Sequence, residues 1–333
     1  MPSIKEIAAQ AGVSITTVSK VLNNYSDVSE NTKARVREVA QRLGYTPNMA
    51  ARNLALGRSN IIGLVLSDIR ETDSNGNIIF RILIGAKNLC TEKDYELLII
   101  ITDVKKQHSK KLSQLCKERQ ISGVIVYGLK PGDPYFQEIT ESELPCIAID
   151  IKMKGNNLST VTTDNIAAVK EVISHLHSTG HRHIGFVNGL KDVAVSVYRE
   201  NGYRTAMQEL GLEIGEGYVK YADYYEEKAY AKTLELVREN PEITAIFCAS
   251  DLMALGALKA IGSLNKKVPE DIAVVGFDGI QLSEYSNPRL TTVVQDFKGM
   301  GKTAADTLIK MLQGESVDQT SYVPYCFSIR ESV

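Results

Sequence analysis

Residues 3 to 23 read Ser-Ile-Lys-Glu-Ile-Ala-Ala-Gln-Ala-Gly-Val-Ser-Ile-Thr-Thr-Val-Ser-Lys-Val-Leu-Asn and leave the chain few ways to fold. Ser3 and Glu6 make an S-x-x-E capping box, in which hydroxyl and carboxylate each satisfy a free backbone N–H at a helix start. Ile4, Ile7, Ala8 and Ala11 then share one helical face. Gly12 supplies a turn, and Ser14 caps a second helix from Ile15 to about Asn23, with Val18, Val21 and Leu22 turned inward. A third helix starts near Ser29, carries Val36, Val39, Ala40 and Leu43 as its apolar stripe, and stops at Gly44. Two short capped helices across a glycine turn are how a helix-turn-helix offers a helix to the DNA major groove, although a plain three-helix bundle shares the same core. The polar outer face of the second helix, Thr16, Thr17, Ser19 and Lys20, favours DNA, because it offers hydrogen bonds to base edges and phosphates.

After Gly44-Tyr45-Thr46-Pro47, the stretch Asn48 to Leu56 reads as about two turns of helix capped by Asn48, too short to persist alone in water. It needs a partner. Up to residue 58 the chain holds eight Lys and Arg against four Asp and Glu, a local charge of +4 within a total of −2, so the remainder carries −6. Positive charge is thus concentrated beside the helix-turn-helix. At 333 residues the chain suits about two to three folding units. Its five cysteines are scattered and form no C-x-x-C, as expected of free thiols in a reducing cytoplasm. No stretch has signal-peptide character or reaches the roughly 18 apolar residues of a membrane span, so a cytosolic location is expected.

Beyond the linker Gly57-Arg-Ser-Asn60, near-continuous apolar runs alternate with helical segments. The runs at 61–66, 96–101, 123–127 and 146–149, and again at 184–187, 219–222, 245–248 and 272–275, have the character of parallel strands buried on both faces. Residues 78–93 and 109–119 look helical between them. The pattern is two doubly wound α/β subdomains. Ligands of such sheets bind outside the carboxyl ends of the strands, which singles out Asp68, Tyr127, Asp150, Ser250 with Asp251, and Asp278. Each such Asp is equally well placed to be a helix cap or turn former.

In order along the chain stand A-G-V-S-x-x-T-V-S, G-Y-x-P-N-x-x-A-R-x-L, Thr179-Gly-His-Arg-His-Ile-Gly-Phe186, Arg199-Glu-Asn-Gly-Tyr203, Ala249-Ser-Asp-Leu-Met-Ala-Leu-Gly-Ala257, Val274-Val-Gly-Phe-Asp278, Pro288-Arg-Leu-Thr-Thr-Val-Val-Gln295 and Ile329-Arg-Glu-Ser-Val333. With them the chain resembles the lactose-repressor/galactose-repressor (LacI/GalR) family of bacterial transcription regulators throughout its length. The resemblance implies an all-α headpiece (1–46), a hinge helix and linker (47–59), and a two-lobed core of doubly wound parallel sheets resembling periplasmic sugar-binding proteins (60–333). Its N-lobe would take about 60–160 and 293–322, its C-lobe about 161–292 and 323–333. DNA contact is implied for Ser14, Ile15, Thr16, Thr17, Lys20 and Asn23, and for Asn48, Arg52 and Leu54 of the hinge. Leu54 would wedge into the minor groove at the centre of a pseudopalindromic operator, or else pack on its own headpiece. The implied assembly is a homodimer.

For the effector, the resemblance implies that Arg199 grips the ligand, that Tyr224 stacks on it, and that Asp278 and Ser250 make polar contacts, with Asp150, Tyr127, Ile79, Gln295 and Phe297 completing the pocket. Carboxylates and an arginine around aromatic rings suit a polyhydroxylated ligand, since one carboxylate accepts two hydroxyl protons and the sugar's C–H face stacks on a ring. A repressor controlled by a sugar is the expectation. The chain departs from the pattern in a loop, 67–77, that is a few residues longer, and in having Ile78-Ile79 ahead of Phe80 where many relatives carry an aromatic pair. Asp73, Asn75 or Asn77 would then reach the ligand from that loop.

Other signals lead nowhere. His175, His177, His181 and His183 resemble a metal cluster, but Thr179-Gly180 is a helix-to-strand turn, and strand entry points neighbouring side chains apart. Gly301-Lys302-Thr303 mimics a phosphate loop whose required earlier glycine is Asp296. No cofactor motif or catalytic constellation is present, so an enzyme is not expected. A periplasmic sugar-binding protein would leave residues 1 to 56 unexplained. The rival within the family is a catabolite-control type that takes a phosphocarrier protein as corepressor, and Arg199 favours a small molecule over it.

Overall fold

The computed structural model describes residues 2–22, 25, 27–45, 59–67, 69 and 76–333, the last span without the side chains of 76 and 77. The chain divides into two compact units, Met1–Ser59 and Asn60–Val333. In the first, α1 (Ile4–Ala11), α2 (Ile15–Leu22) and α3 (Glu30–Arg42) surround a core of Ile7, Ala8, Ala11, Val18, Val21, Val36, Val39 and Ala40. The capping box is complete: the Ser3 backbone N–H donates to Glu6 Oε2 at 2.7 Å and the Glu6 N–H to Ser3 Oγ at 3.3 Å. Gly12 turns the chain at φ +63° with open space where a side chain would be, so the backbone conformation itself requires glycine. Ser14 Oγ accepts the Thr17 N–H at 3.0 Å, and Ser29 Oγ the Thr32 N–H at 3.3 Å.

The second unit begins β1 (Ile61–Ser67), α4 (Gly76–Glu92), β2 (Glu96–Thr102), α5 (Val104–Ser109), α6 (Leu112–Glu118), β3 (Ile121–Tyr127), α7 (Pro134–Glu141), β4 (Cys146–Ile149) and β5 (Leu158–Thr162). It continues through α8 (Asn165–Ser178), β6 (Ile184–Asn188), α9 (Ala194–Glu209), β7 (Val219–Tyr221), α10 (Glu226–Glu239), β8 (Ala245–Cys248), α11 (Asp251–Ser263), β9 (Ala273–Asp278) and α12 (Leu282–Tyr285). It closes with β10 (Thr291–Gln295), α13 (Phe297–Leu312), β11 (Thr320–Tyr322) and β12 (Tyr325–Ser328).

The first sheet is ordered β11-β5-β4-β3-β1-β2 and the second β12-β10-β9-β8-β6-β7. Their neighbours pair in parallel, the doubly wound arrangement expected, and the second sheet adds β12 at its edge, antiparallel to β10. Only Val323 and Pro324 separate β11 from β12, so the chain carries straight on from the first sheet into the second at the carboxyl end of β10 and runs against that sheet's other strands.

The lobe boundaries also move. Strand β5 stays in the first sheet to Thr162, and β10 belongs to the second sheet to Gln295, so the crossings fall after 162 and 295 and not at 160 and 293. The helix expected at 109–119 starts later, at Leu112, because Lys110 is extended at φ −150° after the separate helix α5 and Glu138 takes the N–H groups of Leu112 and Ser113.

Helix α13 packs back onto α4 in the first lobe. A Cβ on Gly301 would stand 2.0 Å from the Ile82 carbonyl oxygen, and one on Gly85 2.0 Å from that of Lys298. Gly301-Lys302 is therefore the inside of a helix at a backbone-to-backbone contact. We predict that Gly301→Ala lowers core stability by about 1–3 kcal/mol through overpacking. Gly262→Ala, in α11 with nothing within 4 Å of its built Cβ, should leave stability equal or raise it. Urea midpoints of the two variants check the contrast; equal shifts would contradict it.

Candidate functional site

In the headpiece, α2 turns Val18 and Val21 into the core and leaves Ile15 49% exposed, beside exposed Ser14 and Thr16. An exposed apolar side chain among hydroxyls can meet a thymine methyl where its neighbours reach base edges. Thr17 Oγ1 lies 2.9 Å from Ser14 Oγ, so these two residues build the helix start as well as the outer face. Lys20 pairs with Asp27. Asn23, and with it Asn48, Arg52 and Leu54 of the hinge segment, lie outside the described residues.

In the core, the carboxyl ends of strands from both sheets line a cavity of about 430 Å³. Tyr127 ends β3, Asp150 follows β4, Ser250 follows β8, Asp278 ends β9 and Gln295 ends β10. Arg199 comes from α9, Tyr224 from the turn after β7, Phe297 from the start of α13 and Ile79 from α4. The nine residues that the resemblance implies for the effector thus all line one space. Asp251 does not: it is fully buried behind the wall, accepting the Ile280 N–H at 2.8 Å and the Thr292 hydroxyl. Asp68, Asp73 and Asn75 lie outside the described residues, as does the Asn77 side chain. Ile78 and Ile79 form the wall ahead of Phe80, which is 59% exposed and absent from the lining.

Arg199 organises the floor. It is 3% exposed; its Nε–H donates to Asn165 Oδ1 at 2.8 Å, an Nη1 hydrogen goes to the Ala249 carbonyl, and Asp278 Oδ1 lies 3.8 Å from Nη1. The guanidinium carbon sits 3.8 Å from the centre of the Phe277 ring. Gln295 Nε2 donates to Asp278 Oδ1 at 2.9 Å, whereas its Oε1 is buried without a hydrogen-bond partner. Thr162 donates to Asp150 Oδ1 at 2.6 Å. The Tyr224 hydroxyl lies 2.8 Å from Ser196 Oγ, and its ring covers Gly189, where a Cβ would collide at 2.1 Å. Ser250 Oγ accepts the Met253 N–H at 3.2 Å, so Ser250 is a helix cap as well as a lining residue.

Several lining residues take backbone conformations that side chains disfavour: Asp150 at φ +58°, Asp223 at +53°, Tyr224 at +64° and Asp278 at +112°. For Asp the left-handed region is tolerable, but Tyr224 and the +112° of Asp278 hold strain of about 1–3 kcal/mol each, a frequent property of ligand-binding turns. Burial raises the proton affinity of Asp278 to about 7, against the opposing pull of Arg199. Asp150 is raised too, by burial first, with the Thr162 hydrogen bond working the other way. Burial likewise pushes the Tyr127 and Tyr224 hydroxyls up, so both remain neutral donors.

The floor is therefore rich in acceptors, while the buried Arg199 is already committed to protein groups. A neutral ligand with several hydroxyls suits it, and the tyrosine rings offer faces for C–H groups. Asn165, Ser196 and Gly189 carry no sequence signal that marks them as site residues. Asp223 and Tyr225 do, since they follow a strand. His181 Nδ1 lies 3.0 Å from Thr244 Oγ1, His183 Nδ1 2.9 Å from the Tyr218 hydroxyl, and His175 stacks edge-on against Phe327, so these rings serve separate partners.

Residues 3–48 match the family of bacterial regulatory proteins of the lacI type, and residues 173–333 match the periplasmic binding protein-like domain. The HTH-type transcriptional regulator CelR of Thermobifida fusca is 31% identical over 324 residues, covering 97% of this chain and 95% of that protein. A solved CelR–cellobiose complex superposes with a TM-score of 0.75 at 29% identity, with both chains covered completely. The lac repressor dimer bound to operator and the anti-inducer ONPF gives 0.80 at 25% identity, covering 99% of this chain and 98% of that one.

Asp278 and Asp251 hold their protons up to about 7 and about 8, against an ordinary 3.8, with burial the first cause for both. Between about pH 4 and 8 the folded state therefore binds more protons than the unfolded chain. The associated stability is complete below pH 4 and is lost as pH rises through 7 and 8. His175 and His181 oppose this up to about pH 6.5, because burial resists their protonation. We predict that the urea midpoint falls from pH 6.5 to 8.5 and that Asp278→Asn falls less steeply; parallel profiles for the two proteins would contradict the assignment.

Proposed function

This chain belongs to the lacI family of bacterial regulatory proteins and is a DNA-binding transcription regulator, not an enzyme; on that premise we propose that a neutral sugar in the interlobe cavity controls its operator affinity. The observation that carries this reading is the acceptor-rich floor of Asp150, Asp278 and the unpartnered Gln295 Oε1 beneath Tyr127 and Tyr224. The cellobiose of the CelR complex supports a carbohydrate. Repression relieved by the sugar is the proposed output.

The proposed DNA face is Ser14, Ile15, Thr16, Thr17, Lys20 and Asn23, with Asn48, Arg52 and Leu54 assigned to the centre of a pseudopalindromic site. A homodimer presents two such faces. Ile99, Ile101 and Val104, on and just after edge strand β2, and Leu282 and Tyr285 of α12 are exposed in the single chain, and we propose a second copy as their cover. The dimeric lac repressor on operator supports that assembly. Unpaired Cys90, Cys116, Cys146, Cys248 and Cys326 fit a cytoplasmic location, and among the described residues no helix is long and apolar enough to cross a membrane.

Thermal unfolding against neutral sugars, sugar phosphates and a phosphocarrier protein tests the effector. A neutral sugar at about 100 times its Kd should add roughly 2.7 kcal/mol of stability. Arg199→Lys keeps the buried charge but loses the planar fork. It should leave sugar-free operator binding within a few-fold and abolish the sugar's influence. A response only to the phosphocarrier, unchanged in Arg199→Lys, would replace the small-molecule reading. For DNA, operator selection with Thr16 and Lys20 variants should alter base preference at defined half-site positions, each worth about 1–3 kcal/mol. An unchanged consensus would remove both residues from base recognition.

A further inference from the structure

Resting on the effector-site reading above, we infer that Asn165 is the positioning residue of the cavity, holding the Arg199 guanidinium from the interlobe crossing and tying it to Asp150 on the other sheet. Asn165 is 3% exposed, is the first residue of α8, and does not line the cavity. It follows the crossing from β5 and lies beside the groups of both lobes.

Its amide orientation is forced. The Arg199 Nε–H can only donate, so the oxygen of Asn165 must face it, at 2.8 Å. The NH2 group is then left to face the Thr163 carbonyl at 2.9 Å and Thr162 Oγ1 at 3.3 Å. The Thr162 hydroxyl in turn donates to Asp150 Oδ1 at 2.6 Å. A directed chain thus runs from the Asn165 amide through the Thr162 hydroxyl to the Asp150 carboxylate, each bond polarising the next. Arg199 contacts its other partners, the Ala249 carbonyl, Asp278 and the Phe277 ring, on strands β8 and β9 of the second sheet or just after them. Asn165 is therefore the link from the deep cation to the first sheet. A sugar that bridges Asp150 and Asp278 acts on both ends of this link at once.

The experiment compares Asn165→Ala, which removes both the acceptor and the donor, with Asn165→Asp, which keeps the acceptor toward Arg199 but puts an oxygen in place of the NH2 that faces Thr162 and Thr163. Cellobiose heads a panel of neutral sugars titrated by calorimetry, and the exchange-protected Arg199 Nε–H signal is followed by NMR without ligand. We expect Asn165→Ala to weaken sugar binding about tenfold, the scale of one charge-assisted hydrogen bond, and to lose the protected Nε–H signal. Asn165→Asp should keep that signal but lose the donor to Thr162 and Thr163, so that its sugar affinity falls between those of wild type and Asn165→Ala. Wild-type affinity in Asn165→Ala, or equal losses in both variants, would overturn the proposal, the second because only packing would be at work. If the wild type binds no sugar of the panel, the sugar reading fails, and the Nε–H signal alone decides the role of Asn165: loss in Ala with retention in Asp supports it, and any other pattern overturns it.

Discussion

A guanidinium that is 3% exposed must be compensated on every side, and the interior of the core is arranged to do so for Arg199. An uncompensated buried charge costs several kcal/mol, which no single contact here repays. Asp278 lies too far for a close ion pair, at 3.8 Å, and shares its oxygen with Gln295. The balance comes from many directions: a carbonyl after β8, an amide at a crossing, a ring face on β9 and a carboxylate at the end of that strand. Because these groups belong to separate elements, the cation fixes their mutual positions. Arg199 thereby ties together elements that shape the cavity.

That arrangement also explains why the two carboxylates of the floor differ from surface ones. Each is half-buried at the cavity wall, each is held at a positive φ, and each has one oxygen committed to a protein donor, Gln295 for Asp278 and Thr162 for Asp150. For these two carboxylates, strain and desolvation fall where a ligand can relieve them. Elsewhere the polar interior is quieter: Thr291, Thr292 and Ser332 are fully buried but bond to Arg330, Asp251 and Val274 in pairs that close on themselves.

How much of this was legible in the sequence depended on the physics of each segment. β1, β3, β4 and β8 are continuous apolar runs because both faces are covered, and such runs are visible without a structure. β5 and β10, Leu-Ser-Thr-Val-Thr and Thr-Thr-Val-Val-Gln, do not look like buried strands, since the hydroxyls of Ser159, Thr291 and Thr292 are satisfied by residues far along the chain. Tyr224 and Asp278 stand at strand ends or just beyond and inside motifs, so they could be named. Asn165 looks like an ordinary helix-start residue, and its role exists only once α9 brings Arg199 beside it. Gly85 and Gly301 likewise acquire meaning only from the helix each approaches.

The glycine contact between α4 and α13 joins segments more than two hundred positions apart, and β11 completes the same sheet from near the end of the chain. Synthesis proceeds from the amino terminus at about 5–20 residues per second, and domains fold as units when their last element arrives. The first 59 residues form a unit with its own core, complete as soon as it leaves the ribosome. The first lobe of the core has to wait for Phe297–Leu312 and Thr320–Tyr322 while the whole second series of strands is made. A nascent chain therefore passes through a period in which its helix-turn-helix is folded while the sheet that begins at Ile61 still lacks its closing helix and edge. In that interval the half-built lobe exposes the apolar face that α13 will cover, and it is the stretch of the protein's life in which a chaperone has most to hold.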